Sequence, residues 1–245
     1  MGAATWTGEQ EGIATATLAV ADLEATFATG AGMVCCSLRH RGDELLGQRR
    51  GLAAYAATGS TMGIPFLHPW ANRLDGPRYE QGGYTAALHP AALRIEIALR
   101  ATGDAPVPVS FGWHPYLQLA GERAALELTL PARTHLALDE RGLLAGASAG
   151  EEPEHAPLGE RTFDDHYEVG EDPVAFTARD DDRVVSVRFE RGYPYAQVFA
   201  PPGQSFVCFE PMTATVSALT HPGACPLVEA YDATFAIEVG STMGA

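Results

Sequence analysis

The segment LRIEIALR, residues 93 to 100, alternates strictly: Leu93, Ile95, Ile97 and Leu99 share one side of an extended chain, and mostly charged residues share the other. Successive side chains of a strand point to opposite faces, so this pattern specifies a half-buried strand. LELTL (126 to 130), VVSVRFE (184 to 190) and FAIEV (235 to 239) repeat it. The intervening LDGPRYEQGGY, ATGDAPVP, RGYPY and APPGQ are punctuated by Gly and Pro and mark turns. No segment of helical length carries a sustained apolar stripe, although DELLGQRRGLAAYAA (43 to 57) has room for a short helical turn. Many short strands, 26 Gly and 17 Pro predict an all-β chain folded as an antiparallel β-sandwich or barrel, in a single domain over residues 1 to 245. GASAGEEPEHAPLGERTFDD (146 to 165) reads as a surface loop.

Charge narrows the partners. With 31 acidic against 16 basic residues the formal net charge is -15, which repels phosphate backbones and anionic membrane surfaces, so neither nucleic acid nor membrane is an expected partner. All the basic residues are arginine; without lysine there is no side-chain Schiff base and no Walker-type phosphate loop. Cys35, Cys36, Cys208 and Cys225 lack CxxC spacing and read as reduced core residues, and no HExxH or comparable ligand cluster points to a metal. The N-terminus has neither a basic n-region nor a long apolar stretch, so a cytoplasmic protein is expected.

Four islands place ionisable or rigid residues inside apolar sequence: GIPFLHPWANRLDGPRY (63 to 79), SFGWHPYLQL (110 to 119), TFDDHYEV (162 to 169) and FVCFEPMTA (206 to 214). Glu210 shares a strand face with Phe206 and Cys208, and Pro211 is expected to end that strand. Taken singly, His114 reads more simply as a satisfied core histidine and Glu210 as a strand-end charge. Together they point elsewhere, because burial raises a carboxylate's pKa and lowers a histidine's, bringing both toward the range useful for general acid and base work. Asp164 and Asp165 are sequential, so one faces the site, and Asp164 is the choice. His68 and His166 read as surface residues in preference to groups supporting the site. Trp70 and Trp113 are either an apolar wall or core.

The motifs PWANR (69 to 73) with DGPRY after it, GWHPYL (112 to 117), FDDHY (163 to 167) and EPMTA (210 to 214), in this order, resemble the aldose 1-epimerase (galactose mutarotase) superfamily. ATFATGAGMVCCSLRHRGDELLG (25 to 47) is similar to that family's opening strands and glycine-rich turn. The resemblance implies a large antiparallel β-sandwich of the galactose mutarotase type that interconverts the anomers of a free hexose without cofactor or metal, as a monomer or homodimer. It implies Glu210 as general base and His114 as general acid, Arg73 and Asp164 on sugar hydroxyls, and Asn72 shaping the site.

The chain departs from the family between Tyr84 and Leu93, where it reads only TAALHPAA. The family has several strands there and an HG motif with a second site histidine; His89 in LHP stands as its remnant, with Pro90 in place of glycine. The shortening predicts missing strands near residues 85 to 93, with a gap or an exposed edge beside them. Two other readings compete with a hexose mutarotase. One is a phosphosugar epimerase using arginines such as Arg39, Arg41, Arg49, Arg50 and Arg78; the other is a non-catalytic carbohydrate-binding protein.

Overall fold

The computed structural model describes residues 4–68, 84–103, 105–170, 173–221 and 223–242. Leu93, Ile95, Ile97 and Leu99 are buried, at most 5 % exposed, while Glu96, Ala98 and Arg100 face solvent. Among the described residues the strands form sheets of five, eight and seven strands and a two-stranded ribbon, with antiparallel pairing throughout.

The seven-stranded back sheet runs Glu154–Pro157, Glu127–Leu130, Val174–Arg179, Arg183–Arg191, Ala230–Ser241, Ala92–Arg100, Tyr84–His89. Its inward residues, among them Leu128, Phe176, Val187, Phe235 and Ile95, meet Phe163, Val198, Phe209 and Trp113 of the eight-stranded sheet in one contiguous core. Leu23, Phe27 and Leu38 of the N-terminal sheet join the same cluster. Two sheets packed face to face over alternating apolar residues are the sandwich arrangement, and the all-β expectation holds with one short helix, Leu52–Thr58, among the described residues.

Several local readings are sharpened or corrected by the structure. Between Tyr84 and Leu93 the chain makes one tight hairpin: Tyr84–His89 pairs with Ala92–Arg100 in unbroken register from Tyr84↔Ile97 to His89↔Ala92. No gap opens, because the chain reverses within two residues, Pro90 and Ala91. Among the described residues Tyr84–His89 is the last strand of the back sheet, nearest Ile13–Val20 and Leu23–Ala28. The presumed surface loop instead supplies the outer strands of both large sheets, Leu144–Glu151 and Glu154–Pro157, whose small and polar residues suit exposed edges. Cys35, Cys36 and Cys208 are free and buried, but Cys225 is only half-buried.

The eight-stranded sheet carries the candidate site. It runs Leu144–Glu151, Arg133–Leu138, Phe163–Glu168, Tyr195–Ala200, Val207–Met212, then Gly112–Trp113 and Phe66–Leu67, with Tyr116–Leu117 also paired to Val207–Met212. Its neighbour on one side of Val207–Met212 is thus interrupted at His114 and Pro115. The interruption explains why Pro211 does not end its strand. Thr213 N–H donates to Phe111 O, so the Pro211 nitrogen, two residues earlier, points to the same side, where the ladder is broken and no donor is called for.

Candidate active site

His114 sits in that interruption. Pro115 restricts it to extended backbone, its N–H donates to Pro65 O, and Tyr116 N–H donates to Gly63 O at 2.9 Å. Gly63 has φ 61°, and a Cβ there would stand 2.2 Å from Cys35 O, so the turn that holds the HPY segment admits only glycine. Gly47 N–H completes the clamp by donating to Tyr116 O.

The imidazole turned out of the ladder stacks on Tyr116, ring centroids 4.3 Å apart, with Phe199 edge-on, and its Nε2 lies 3.1 Å from Glu210 Oε1. Glu210 is 2 % exposed and His114 retains 18 % exposure, so the pair opens to solvent on the histidine side. Tyr116 Oη bonds with Thr61 Oγ1 at 2.7 Å and lies 3.4 Å from His114 Nε2. Burial pushes the Tyr116 phenol up to about 12, leaving it a neutral hydrogen-bonding group. Tyr116, Phe206 and Cys208 pack together beside the pair, and the Arg49 guanidinium lies over the Tyr116 and Phe206 rings at 4.9 and 5.5 Å.

Burial pushes the His114 imidazole down to about 3, with Arg49 acting in the same direction. The adjoining carboxylate acts oppositely, since a negative charge at hydrogen-bond distance stabilises an imidazolium. At 3.1 Å the imidazole nitrogen and the carboxylate oxygen are within hydrogen-bond reach of one another.

A polar row continues across the floor. Glu210 pairs opposite Gln197, which pairs opposite His166. Gln197 Nε2 donates to Asp164 Oδ1 at 2.8 Å, and its Oε1 lies 3.2 Å from His166 Nδ1. Asp164 thus stands on the Glu210 face, itself exposed, while Asp165 contacts His135 at 3.2 Å. His166 is fully buried and stacks on Tyr195, which corrects its reading as a surface residue: it lies opposite Gln197 in the sheet interior. His68 is half-buried and stacks on Phe66. Trp113 is core, its Nε1 donating to Tyr193 Oη.

His89 stands exposed at the hairpin end of the back sheet, and no hydrogen bond or ion pair among the described residues joins it to His114 or Glu210. Arg73, Asn72, Trp70 and Arg78 lie outside the described residues. Gln197 escaped the sequence reading; a lone amide in YAQVFA carries no signal until pairing sets it opposite Glu210. Cys208 entered that reading as a buried thiol on the Glu210 strand face, and its Sγ lies within 4.8 Å of ligand atoms of both His114 and Glu210.

This architecture, a β-sandwich with a carboxylate and an imidazole on the floor of one sheet, is of the galactose mutarotase-like class. It is similar to galactose 1-epimerase from Lactobacillus acidophilus NCFM (TM-score 0.72, 11 % identity, 98 % of this chain and 99 % of that one). It is also similar to a galactose mutarotase-like protein from Clostridium acetobutylicum (TM-score 0.73, 12 % identity, 97 % and 98 %) and to a putative aldose 1-epimerase from Escherichia coli K12 (TM-score 0.68, 16 % identity, 98 % and 100 %). No curated protein matches the chain significantly in sequence. A family model described as aldose 1-epimerase matches residues 83–226, more than half of the chain, and the protein belongs to the aldose 1-epimerase family. No helix among the described residues is long and apolar enough to cross a membrane.

Proposed function

We propose that the protein is an aldose 1-epimerase acting on a free hexose, with Glu210 and His114 as its acid/base pair. The carrying observation is the 3.1 Å approach of His114 Nε2 to Glu210 Oε1, with Tyr116, Phe206 and Cys208 packed beside the pair. Glu210 takes the proton of the C1 hydroxyl as the C1 carbonyl forms and the bond from C1 to the ring oxygen breaks. His114 delivers a proton to that ring oxygen. Rotation about C1–C2 presents the other carbonyl face, and closure runs the transfers in reverse, with the roles exchanged. Each positioned group contributes on the order of 10²- to 10⁴-fold. Asp164, fixed through Gln197, binds a sugar hydroxyl, and family resemblance gives Arg73 and Asn72 the same neighbourhood.

Arg49 favours a second reading, a phosphorylated hexose. Its guanidinium is exposed beside the pair, where it can meet an anionic group on the sugar. Polarimetry on freshly dissolved α-D-glucose, α-D-galactose and α-D-glucose 6-phosphate, with wild type and Glu210→Gln, tests both. Acceleration lost in the variant supports the pair, and preference for the phosphate abolished by Arg49→Gln supports the second reading. No acceleration with any of the three moves the protein toward sugar binding without turnover.

A further inference from the structure

We infer that His114, Cys208 and Glu210 form a site for a thiophilic divalent cation, Zn²⁺ foremost, that competes with the proton transfers proposed above. One ligand atom from each of the three lies within 4.8 Å of the others. Tetrahedral zinc with Zn–N near 2.0 Å and Zn–S near 2.3 Å needs ligand atoms roughly 3.3 to 3.8 Å apart. The set therefore closes by side-chain shifts of about an ångström, with His114 and Glu210 already at 3.1 Å.

The three ligands come from elements that hold them at fixed separations. Cys208 and Glu210 are two residues apart on one face of Val207–Met212, and Tyr116 pairs with Cys208, setting His114 in the interruption just beyond. One nitrogen, one sulfur and one carboxylate oxygen make a borderline-soft set that suits Zn²⁺ or Co²⁺ and poorly suits Mg²⁺ or Ca²⁺. The partly exposed imidazole is the point of entry.

Binding is a substitution with a defined proton balance: the Cys208 thiol proton and the proton that His114 would deliver to the sugar both go to solvent, and the freed sulfur and imidazole lone pairs go to the cation. His114 Nε2 and a Glu210 oxygen donate lone pairs that the sugar reaction needs, so the occupied site is inhibited. His114 Nδ1 has no hydrogen-bond partner among the described residues. Lacking that outer support, the site binds more weakly than one built for permanent zinc, as a reversible inhibitor requires.

The inhibition rests on the functional reading above; the cation site does not. The test is titration of untagged full-length protein with Co²⁺, followed by absorption, with Cys208→Ser, Cys208→Ala and His114→Asn alongside and circular dichroism to verify folding. The expected result is one Co²⁺ per chain with a thiolate-to-cobalt charge-transfer band, displaced by Zn²⁺. The band should be absent in both Cys208 variants, and zinc affinity should weaken at least about tenfold in all three. Mutarotation by Cys208→Ser should persist and resist zinc. Absence of the band in wild type, or an unchanged band in the folded Cys208 variants, overturns the inference. A band with no mutarotation of any sugar leaves the cation site standing and sinks only the enzyme reading; mutarotation without the band does the reverse.

Discussion

The two large sheets share a core and differ in regularity. In the back sheet, Arg183–Arg191 and Ala230–Ser241 pair with one irregularity, between Phe189 and Arg191, and present Val185, Val187, Phe235 and Ile237 inward. In the other sheet Val207–Met212 has a continuous neighbour on one side and a broken one on the other, and an ionisable pair fills the break. Regular pairing engages both flanks of each strand in backbone hydrogen bonds, so side chains meet only over the faces of the sheet. The HPY interruption creates that space, and Gly63 and Pro115 fix its shape.

The comparison breaks first on activity. Glu210→Gln is expected to lower the mutarotation rate by on the order of 10²- to 10⁴-fold, equivalent to about 3 to 5 kcal/mol of barrier, with little loss of folding stability. Phe235→Ala in the back sheet should do the opposite, costing about 3 to 5 kcal/mol of stability, since Phe235 is fully buried against Trp113 and Tyr193. Urea unfolding and polarimetry on both variants check the pair. If Phe235→Ala folds well and loses its rate, or Glu210→Gln unfolds, the division between the sheets is wrong.

The back sheet was legible because alternation is local: LRIEIALR and FAIEV state their own faces. HPY and EPMTA were legible as motifs, and Glu210 and His114 do meet. Gln197 and His166 were not legible as site neighbours, because cross-strand register decides what lies opposite Glu210 and no local pattern encodes it; Cys208, two residues from Glu210 on one strand, was. Pro211 misled for a related reason: proline ends a strand only where its missing N–H would have been used. TAALHPAA has room for one tight hairpin, since a two-residue reversal needs no more chain.

Acid should separate the sheets less sharply. Burial pushes His166 down from 6.5 to about 4. The folded state keeps this imidazole neutral while the unfolded chain protonates below about 6.5. Its contribution is therefore fully present above the unfolded pKa and is lost as pH falls through the folded pKa near 4, about 3 kcal/mol in all. The back sheet's described histidines, His89 and His155, are exposed. Urea midpoints between pH 7 and pH 4 should fall more steeply for wild type than for His166→Gln; equal slopes would remove His166 from the account.

The smallest effect is expected where the back sheet meets water. Arg188 Nε and Nη2 donate to the two Glu238 oxygens at 2.9 and 3.1 Å on neighbouring strands, but both side chains are about 40 % exposed. Water screens such a pair and its long side chains lose rotamer freedom, so a double-mutant cycle with Arg188→Ala and Glu238→Ala should give a coupling below about 1 kcal/mol, shrinking in salt. Arg133, 3 % exposed between Glu151 and Glu154, is the contrasting case at the outer strands. Its truncation removes a buried cation from Glu151 and Glu154, each about a third exposed, with Arg161 still paired to Glu154, and should cost more than the exposed pair is worth. If the exposed pair proves as strong as the buried one, burial is not what sets charge energetics in this sandwich. The same argument for the His114–Glu210 pair would then need another basis.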